Sequence, residues 1–421
     1  MKTRPVHTWS ANSPQGAIRH APQARGLQIS ASHDSRGKSS RMRTLVAECK
    51  IPTAPSRYEE VETMAESIGY EVIDTVVQHR KNLHHTYCVG PGKLEEIKML
   101  VAENDIEAVV FANTLPSAQV FKIQRVLGGT DIKVIDRNLL ILEVFDKRAM
   151  TKEAKLQIAL AKLRYTFSWG REFLRLEGIL GGQVGWSGPG DYPYHDYERT
   201  AKKRIANMEK ELRDLYSKKN LLRDHRRERG FPIVALAGYT QSGKTTFFNR
   251  MSAEHKDTGL GPFTTLSTFA RRIDQNNGGD NFSFILIDSI GFIEDMHPTI
   301  LKAFNTTLGE ISNADLILLF VDVSEDLESI FRKLTASREI LKKIATKVPL
   351  VICANKTDLC NDDRLQEGKK LISRTFDGVP LVELSALKGN NTEEVVKQAY
   401  HHLNGSASLV PSASLELHSS P

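Results

Sequence analysis

The chain has 421 residues, 40% of them hydrophobic, which is enough for two or three domains with apolar cores. Its net charge of +6 is local: residues 1–41 hold seven of the 57 Lys/Arg and one of the 51 Asp/Glu (Asp34), so the remainder carries 50 of each. No apolar run approaches the ~18 residues of a membrane-spanning helix, and Cys49, Cys88, Cys353 and Cys360 have no C-x-x-C spacing, as expected for free thiols in a reducing cytosol.

Residues 1–43 are basic, acid-poor and rich in Ser, Gly, Pro and Ala, the composition of a disordered extension. The plain reading is a solvated tail, or a start assigned upstream of a true start at Met42. A basic arm for RNA or a transit peptide is the alternative. Residues 44–149 alternate apolar strand-like runs with helical stretches and read as a small α/β domain with a largely parallel sheet. Strands are expected at 72–77, 108–111 and 132–135, and helices at 93–102, 116–127 and 138–147. Gly90-Pro91-Gly92-Lys93 reads as the turn before a helix, with a phosphate contact as the sharper alternative.

Residues 150–230 change character. Leu156, Leu160, Leu163 and Phe167 share one face of a helix, and Ile205, Met208, Leu212, Leu215 and Leu222 share one face of a second, at a spacing that suits a heptad seam. Between them, 178–190 holds six glycines and Trp186, so the pair is expected to form an antiparallel hairpin with an exposed tip. Arg223-Asp224-His225-Arg226-Arg227-Glu228-Arg229 ends the second helix as a patch for RNA phosphates or as a solvated end.

Residues 231–403 carry the chemistry. Ile233 to Ala237 is a buried-strand run followed by Gly238-Tyr239-Thr240-Gln241-Ser242-Gly243-Lys244-Thr245, a complete G-x-x-x-x-G-K-[ST], and a helix begins with Thr245-Thr246. A strand, a glycine-rich turn and a helix N-terminus converge backbone N–H groups on phosphate oxygens. Lys244 is then placed to reach β/γ-phosphates, and the Thr245 hydroxyl to ligate Mg²⁺. A second strand ends in Asp288-Ser289-Ile290-Gly291, a D-x-x-G whose carboxylate can hold Mg²⁺ through water and whose Gly291 amide can sense a γ-phosphate. A third leads into Asn355-Lys356-Thr357-Asp358, where the Asp358 carboxylate matches the N1–H and N2–H₂ edge of guanine. Adenine has no such donors, and leaving a buried carboxylate unpaired is costly enough to discriminate by ~10⁴-fold. Ser385-Ala386-Leu387-Lys388 follows a fourth strand and offers backbone N–H groups to guanine O6.

Four motifs in this order, each after a strand, predict a P-loop GTP-binding domain, followed by a disordered tail at 404–421. Between the phosphate loop and Asp288, Phe263-Thr264-Thr265 occupies the place of a mobile switch. Thr265 is the expected ligand to Mg²⁺ and γ-phosphate, with Thr264 as the alternative. Lys244 and Thr265 are the candidate catalytic residues. The residue after Gly291 is Phe292, not the glutamine that orients water in many GTPases, so intrinsic hydrolysis is expected to be slow and triggered by a partner.

With these residues in hand the chain resembles the HflX family of the Obg–HflX translation GTPases, over roughly 44–403. The family pattern G-Y-T-N-A-G-K-S, F-A-T-L-D-P-T and D-T-V-G-F-I is met by G-Y-T-Q-S-G-K-T at 238–245, F-T-T-L-S-T at 263–268 and D-S-I-G-F-I at 288–293. Lys155 to Leu163 is similar to its K-L-Q-V-E-L-A-x-L helix, and Gly188-Pro189-Gly190 to its G-P-G-E-T-Q-L-E loop. The resemblance implies a cytoplasmic GTPase, monomeric off the ribosome, that binds Mg²⁺ with GTP or GDP and associates with the large ribosomal subunit and its rRNA, as in ribosome splitting or rescue. The fold implied is α/β, a P-loop GTPase domain preceded by a small α/β domain and an antiparallel helical hairpin. The chain departs from the pattern at Asp191 to Asp196 in the hairpin loop, at Gln241, where related GTPases use an asparagine that helps coordinate K⁺, and in having no domain expected beyond 403. Two other functions fit the same residues, a GTP-gated RNA- or ribosome-binding module with incidental turnover, and an accessory GTPase of a non-ribosomal pathway.

Overall fold

The computed structural model describes residues 41–180, 193–228, 231–252, 269–277, 280–293, 297–298, 300, 309, 311–344 and 348–404. The first sheet is built from β1 (Met42–Lys50), β2 (Tyr70–His79), β3 (Ala108–Phe111) and β4 (Lys133–Asp136), all parallel, in the order β2-β1-β3-β4. Helices α1 (Tyr58–Ser67), α2 (Pro91–Glu103) and α3 (Ser117–Leu127) make the connections, and α4 (Arg137–Arg148) follows β4. Strands β1 and β3 are apolar on both faces, as parallel strands covered by helices must be.

Sequence periodicity located β2, β3, β4 and three of these helices but not β1 or α1. Strand β1 begins at Met42, inside the stretch read as a disordered extension. Met42 and Arg43 pair with Tyr70 and Glu71, and the Arg43 side chain donates to Asn104 O at 2.9 Å, so the strand is longer than its apolar run.

Helices α5 (Lys152–Leu180) and α6 (Pro193–Glu228) follow. Lys152 pairs with Glu211, Arg164 with Glu209, and the Phe167 ring stacks on Tyr197, so the helices run antiparallel. Gly178 to Leu180, read as the start of the loop, is helical; 181–192, with the glycines, Trp186 and Asp191, lies outside the described residues, as do the side chains of Arg223 to Glu228 and all of Arg229. Helix α5 has a second apolar face that the heptad reading missed. Ala154, Ile158, Ala161 and Tyr165 recur at helical spacing and join a cluster running from Val46 and Ile135 to Ala235 and Ile287.

The second sheet contains β5 (Ile233–Gly238), β6 (Phe269–Asn277), β7 (Asp280–Asp288), β8 (Leu316–Asp322), β9 (Leu350–Asn355) and β10 (Leu381–Leu384) in the order β10-β9-β8-β5-β7-β6. All neighbours are parallel except β6, an antiparallel edge strand on β7 that the sequence reading did not assign. It is covered by α7 (Lys244–Ser252), α8 (Leu327–Ile344), α9 (Asp362–Thr375) and α10 (Thr392–Asn404), the last reaching one residue into the expected tail. The chain leaves β5 for β7 on one side and returns to β8 on the other, which opens a crevice beyond the C-terminal end of β5. Among the described residues no helix is long and apolar enough to cross a membrane, and Cys49, Cys88, Cys353 and Cys360 are free thiols.

Candidate functional site

The crevice is filled by the turn from β5 to α7. Gly238 and Gly243 take φ of +133° and +96°, and Gln241 is left-handed at +63°, a region that the shorter side chain of asparagine enters more readily. Gly243 is needed for space: a Cβ there would lie 2.0 Å from Asn355 Nδ2. Lys244 is fully buried, and its amine donates to Gly238 O at 3.0 Å and Tyr239 O at 2.6 Å. Burial drives its pKa down to about 8, against a smaller upward pull from Asp288. The lysine thus rests on carbonyls of its own loop, contacts a phosphate would replace.

Thr245 Oγ1 donates to Asp288 Oδ2 at 3.0 Å, and Asp288 is wholly inaccessible to solvent. A hydroxyl and a carboxylate side by side beneath a phosphate-type loop are hard oxygen donors, so the residues present fit a Mg²⁺ ion. The D-x-x-G segment is stitched to the loop by Thr240 N–H to Phe292 O (3.1 Å) and Phe292 N–H to Gly238 O (2.9 Å). The Phe292 ring is buried with Ile290, Ile293, Ile300 and Ile311 in the cluster shared with α5, which leaves it no means to orient a water. Phe263, Thr264 and Thr265 lie outside the described residues.

Asn355 is the hub at the other end of the site. Its Nδ2 donates to Ser242 O at 2.7 Å, and its Oδ1 accepts the Ala386 N–H at 2.9 Å, joining three of the motifs. Lys356 is left-handed at φ +68°, and its amine donates to Asp322 Oδ2 at 2.5 Å. Asp358 and Leu387 are exposed, whereas Ser385 and Ala386 are buried, so the Asp358–Leu387 edge faces solvent. Thr246 follows on α7, one residue beyond Thr245.

Two residues here escaped the sequence reading. Asp322 is the last residue of β8; a carboxylate at a strand's C-terminal end was the available signal. Arg250 of α7, whose guanidinium meets the Ala386–Leu387 turn, had none. A cleft of about 320 Å³ also adjoins Tyr239, Thr240 and Gln241, bounded by Ser56, Arg57 and Glu60 from the first sheet's helical layer and by Arg332 and Lys333 of α8. Ser56 Oγ and the Arg57 N–H both donate to the buried Glu48 carboxylate, at 2.5 and 2.7 Å, which fixes this wall.

Comparison with known proteins agrees with this geometry. Residues 55–146, 148–226 and 233–356 match families described as GTP-binding GTPase N-terminal, GTP-binding GTPase Middle Region and 50S ribosome-binding GTPase. The chain is similar to GTPase HflX of Thermococcus kodakarensis, with 37% identity over 80% of this chain and 73% of that one. It is likewise similar to GTPase HflX of Methanocaldococcus jannaschii (35% identity, 82% and 83%) and of Escherichia coli (32% identity, 76% and 76%). The chain belongs to the HflX family of GTPases. As an HflX-family member it binds guanine nucleotide and hydrolyses GTP, and the crevice beyond β5 carries the phosphate-loop sequence that this activity requires.

Proposed function

We propose that this GTPase is Mg²⁺-dependent and cytoplasmic, couples its nucleotide state to the large ribosomal subunit and its rRNA, and is monomeric away from the ribosome. The observation that carries this reading is the match of residues 233–356 to the family described as 50S ribosome-binding GTPase. The buried Phe292 supports it, because a chain without a water-orienting side chain after Gly291 turns over slowly until a partner completes the site. Splitting or rescue of ribosomes is the form of activity that follows from the family.

In this reading the loop 238–245 and the Lys244 ammonium hold the β/γ-phosphates, and Thr245, Asp288 and Thr265 would hold Mg²⁺. When bound, the ion neutralises charge on the phosphate oxygens. Thr265 and Gly291 respond to the γ-phosphate. Asp358 accepts from the guanine N1–H and N2–H₂, Asn355 and Lys356 brace the surrounding loops, and the turn 385–387 meets O6. The test is GTP turnover at ~0.1 M K⁺, a concentration that limits nonspecific phosphate binding. Large subunits are expected to stimulate turnover roughly tenfold or more, and small subunits not at all. Tight GTP binding without stimulation by large subunits would overturn the ribosomal coupling and leave a GTPase of another pathway.

A further inference from the structure

Arg250 sits on the helix that the phosphate loop opens, yet its side chain serves the opposite end of the site. Nε donates to Ala386 O at 2.8 Å and Nη2 to Leu387 O at 2.5 Å. One planar fork thus holds two successive carbonyls, which a lysine has no geometry to copy. Gly389 makes room for it. Its φ is +87°, and a Cβ there would lie 2.4 Å from Nη1 and 2.9 Å from Cζ of the arginine.

The turn is closed by its own bonds as well. Gly389 N–H donates to Ser385 O at 2.7 Å, and Lys388 N–H to Ser385 Oγ at 3.1 Å. From the other side Asn355 Oδ1 takes the Ala386 N–H. In a planar trans peptide the carbonyl of one residue and the N–H of the next point in opposite directions. Holding the Ala386 carbonyl on the arginine therefore aims the Leu387 N–H away from α7.

We propose that Arg250 is a positioning residue for base recognition: it orients the Leu387 N–H toward the 6-oxo group of guanine and so sets selectivity for 6-oxopurines. The proposal rests on the reading of this site as one for guanine nucleotide. It also links the two ends of the site mechanically, since the helix that carries Lys244 at its start grips the base-reading turn from its last turn, two residues before the helix ends.

The test compares the dissociation constants of GDP, IDP and 2-aminopurine riboside 5′-diphosphate for the full chain and for Arg250→Ala. IDP keeps the 6-oxo group and lacks the 2-amino group; the 2-aminopurine nucleotide is the reverse. Loss of one oriented hydrogen-bond donor is expected to weaken GDP and IDP about tenfold while the 2-aminopurine nucleotide is unchanged, so the selectivity ratio collapses. Equal weakening of all three would make Arg250 a general structural clamp and overturn the proposal, as would no change. Arg250→Lys, which keeps the aliphatic stem and the fold, is expected to give the same pattern at about threefold. Gly389→Ala, which displaces the guanidinium while Arg250 is still present, is expected to reproduce it; wild-type selectivity in either variant would overturn the proposal. If the unaltered chain does not prefer GDP over the 2-aminopurine nucleotide, it is the guanine assignment that fails, and Arg250 is not at issue.

Discussion

The two largely parallel sheets of this protein share a crossing at their first strand and differ in what stands at their crevices. In each, the first strand gains a neighbour on one side (β2 on β1, β7 on β5) before the chain crosses to the other, which leaves an opening beside β1 and beside β5. Beside β1 the opening is closed by Asn113, whose side chain accepts from Cys49 N–H at 2.7 Å and donates to Cys49 O at 2.9 Å. Next to it, buried Asp136 accepts from Leu115 N–H, Leu139 N–H and Tyr165 OH. Beside β5 the opening holds a glycine-rich turn and a buried lysine whose amine rests on carbonyls of its own loop. Topology supplies a crevice in both cases. Whether it becomes a site depends on whether its buried polar groups are spent on the fold or kept for a ligand.

Four substitutions or titrations probe this contrast, taken from the largest effect downward. Asp358→Asn is expected to invert base preference, with xanthosine triphosphate replacing GTP and a selectivity change of ~10⁴-fold; unchanged GTP affinity would remove Asp358 from base recognition. Lys244→Ala should weaken GTP and GDP binding roughly 100-fold or more, because it removes charge-assisted bonds to phosphate. The nucleotide-free thermal midpoint should stay within about 3 °C of wild type, since the variant also sheds the cost of a buried cation. A large loss of apo stability would place Lys244 with the fold-serving groups and break the comparison.

Asp136→Ala should do the reverse. It leaves the Tyr165 hydroxyl and two backbone N–H groups without their acceptor and removes the cap of α4, costing about 3 kcal/mol in denaturant unfolding. GDP affinity at saturating stability should not change, and a parallel loss of affinity would show that the two sheets are coupled through Tyr165. The smallest effect is a pH dependence. In the nucleotide-free protein Lys244 gives up its proton near pH 8, because burial disfavours the ammonium, whereas phosphate binding requires it. GDP affinity is therefore expected to be flat below about pH 8 as far as this group is concerned. Above it, affinity should fall by up to about tenfold per unit, with uptake of one proton detectable by calorimetry in buffers of different ionisation enthalpy. The stability sign is opposite: the cost of burying the cation is present below the folded pKa and is relieved as pH rises from about 8 toward the unfolded value, so the apo protein gains stability where its affinity falls.

Much of the site was legible because each motif is a local object. A run such as Ile233 to Gly238 followed by glycines and Lys244-Thr245 encodes strand, turn and helix within a dozen residues, and the phosphate-binding geometry follows from that order. Phe292 was legible as an absence, and the structure adds its reason: the ring is part of the apolar cluster that includes α5. Strand β1 was missed because Arg43, Thr44 and Glu48 interrupt its apolar pattern, and the polar groups of Arg43 and Glu48 find partners outside the strand, at Asn104, Ser56 and Arg57. Strand β6 was missed because the exposed Arg271, Arg272 and Asp274 suit an edge strand. The heptad reading of α5 found the face toward α6 and overlooked the small-residue face, since Ala154 and Ala161 add little to an apolar count.

By itself, then, the sequence determined the family, the two α/β regions and the order of the nucleotide motifs, because these depend on short-range periodicity and on chemistry carried within single turns. Tertiary structure alone decided which groups hold one another across the site. Arg250 meets Ala386 from 136 positions away, and Asn355 joins Ser242 from 113 away. Such pairings follow from which surfaces the sheet order brings within hydrogen-bond reach, and no local pattern specifies them, because a side chain's partner is set by the packing of whole elements and not by its neighbours in the chain.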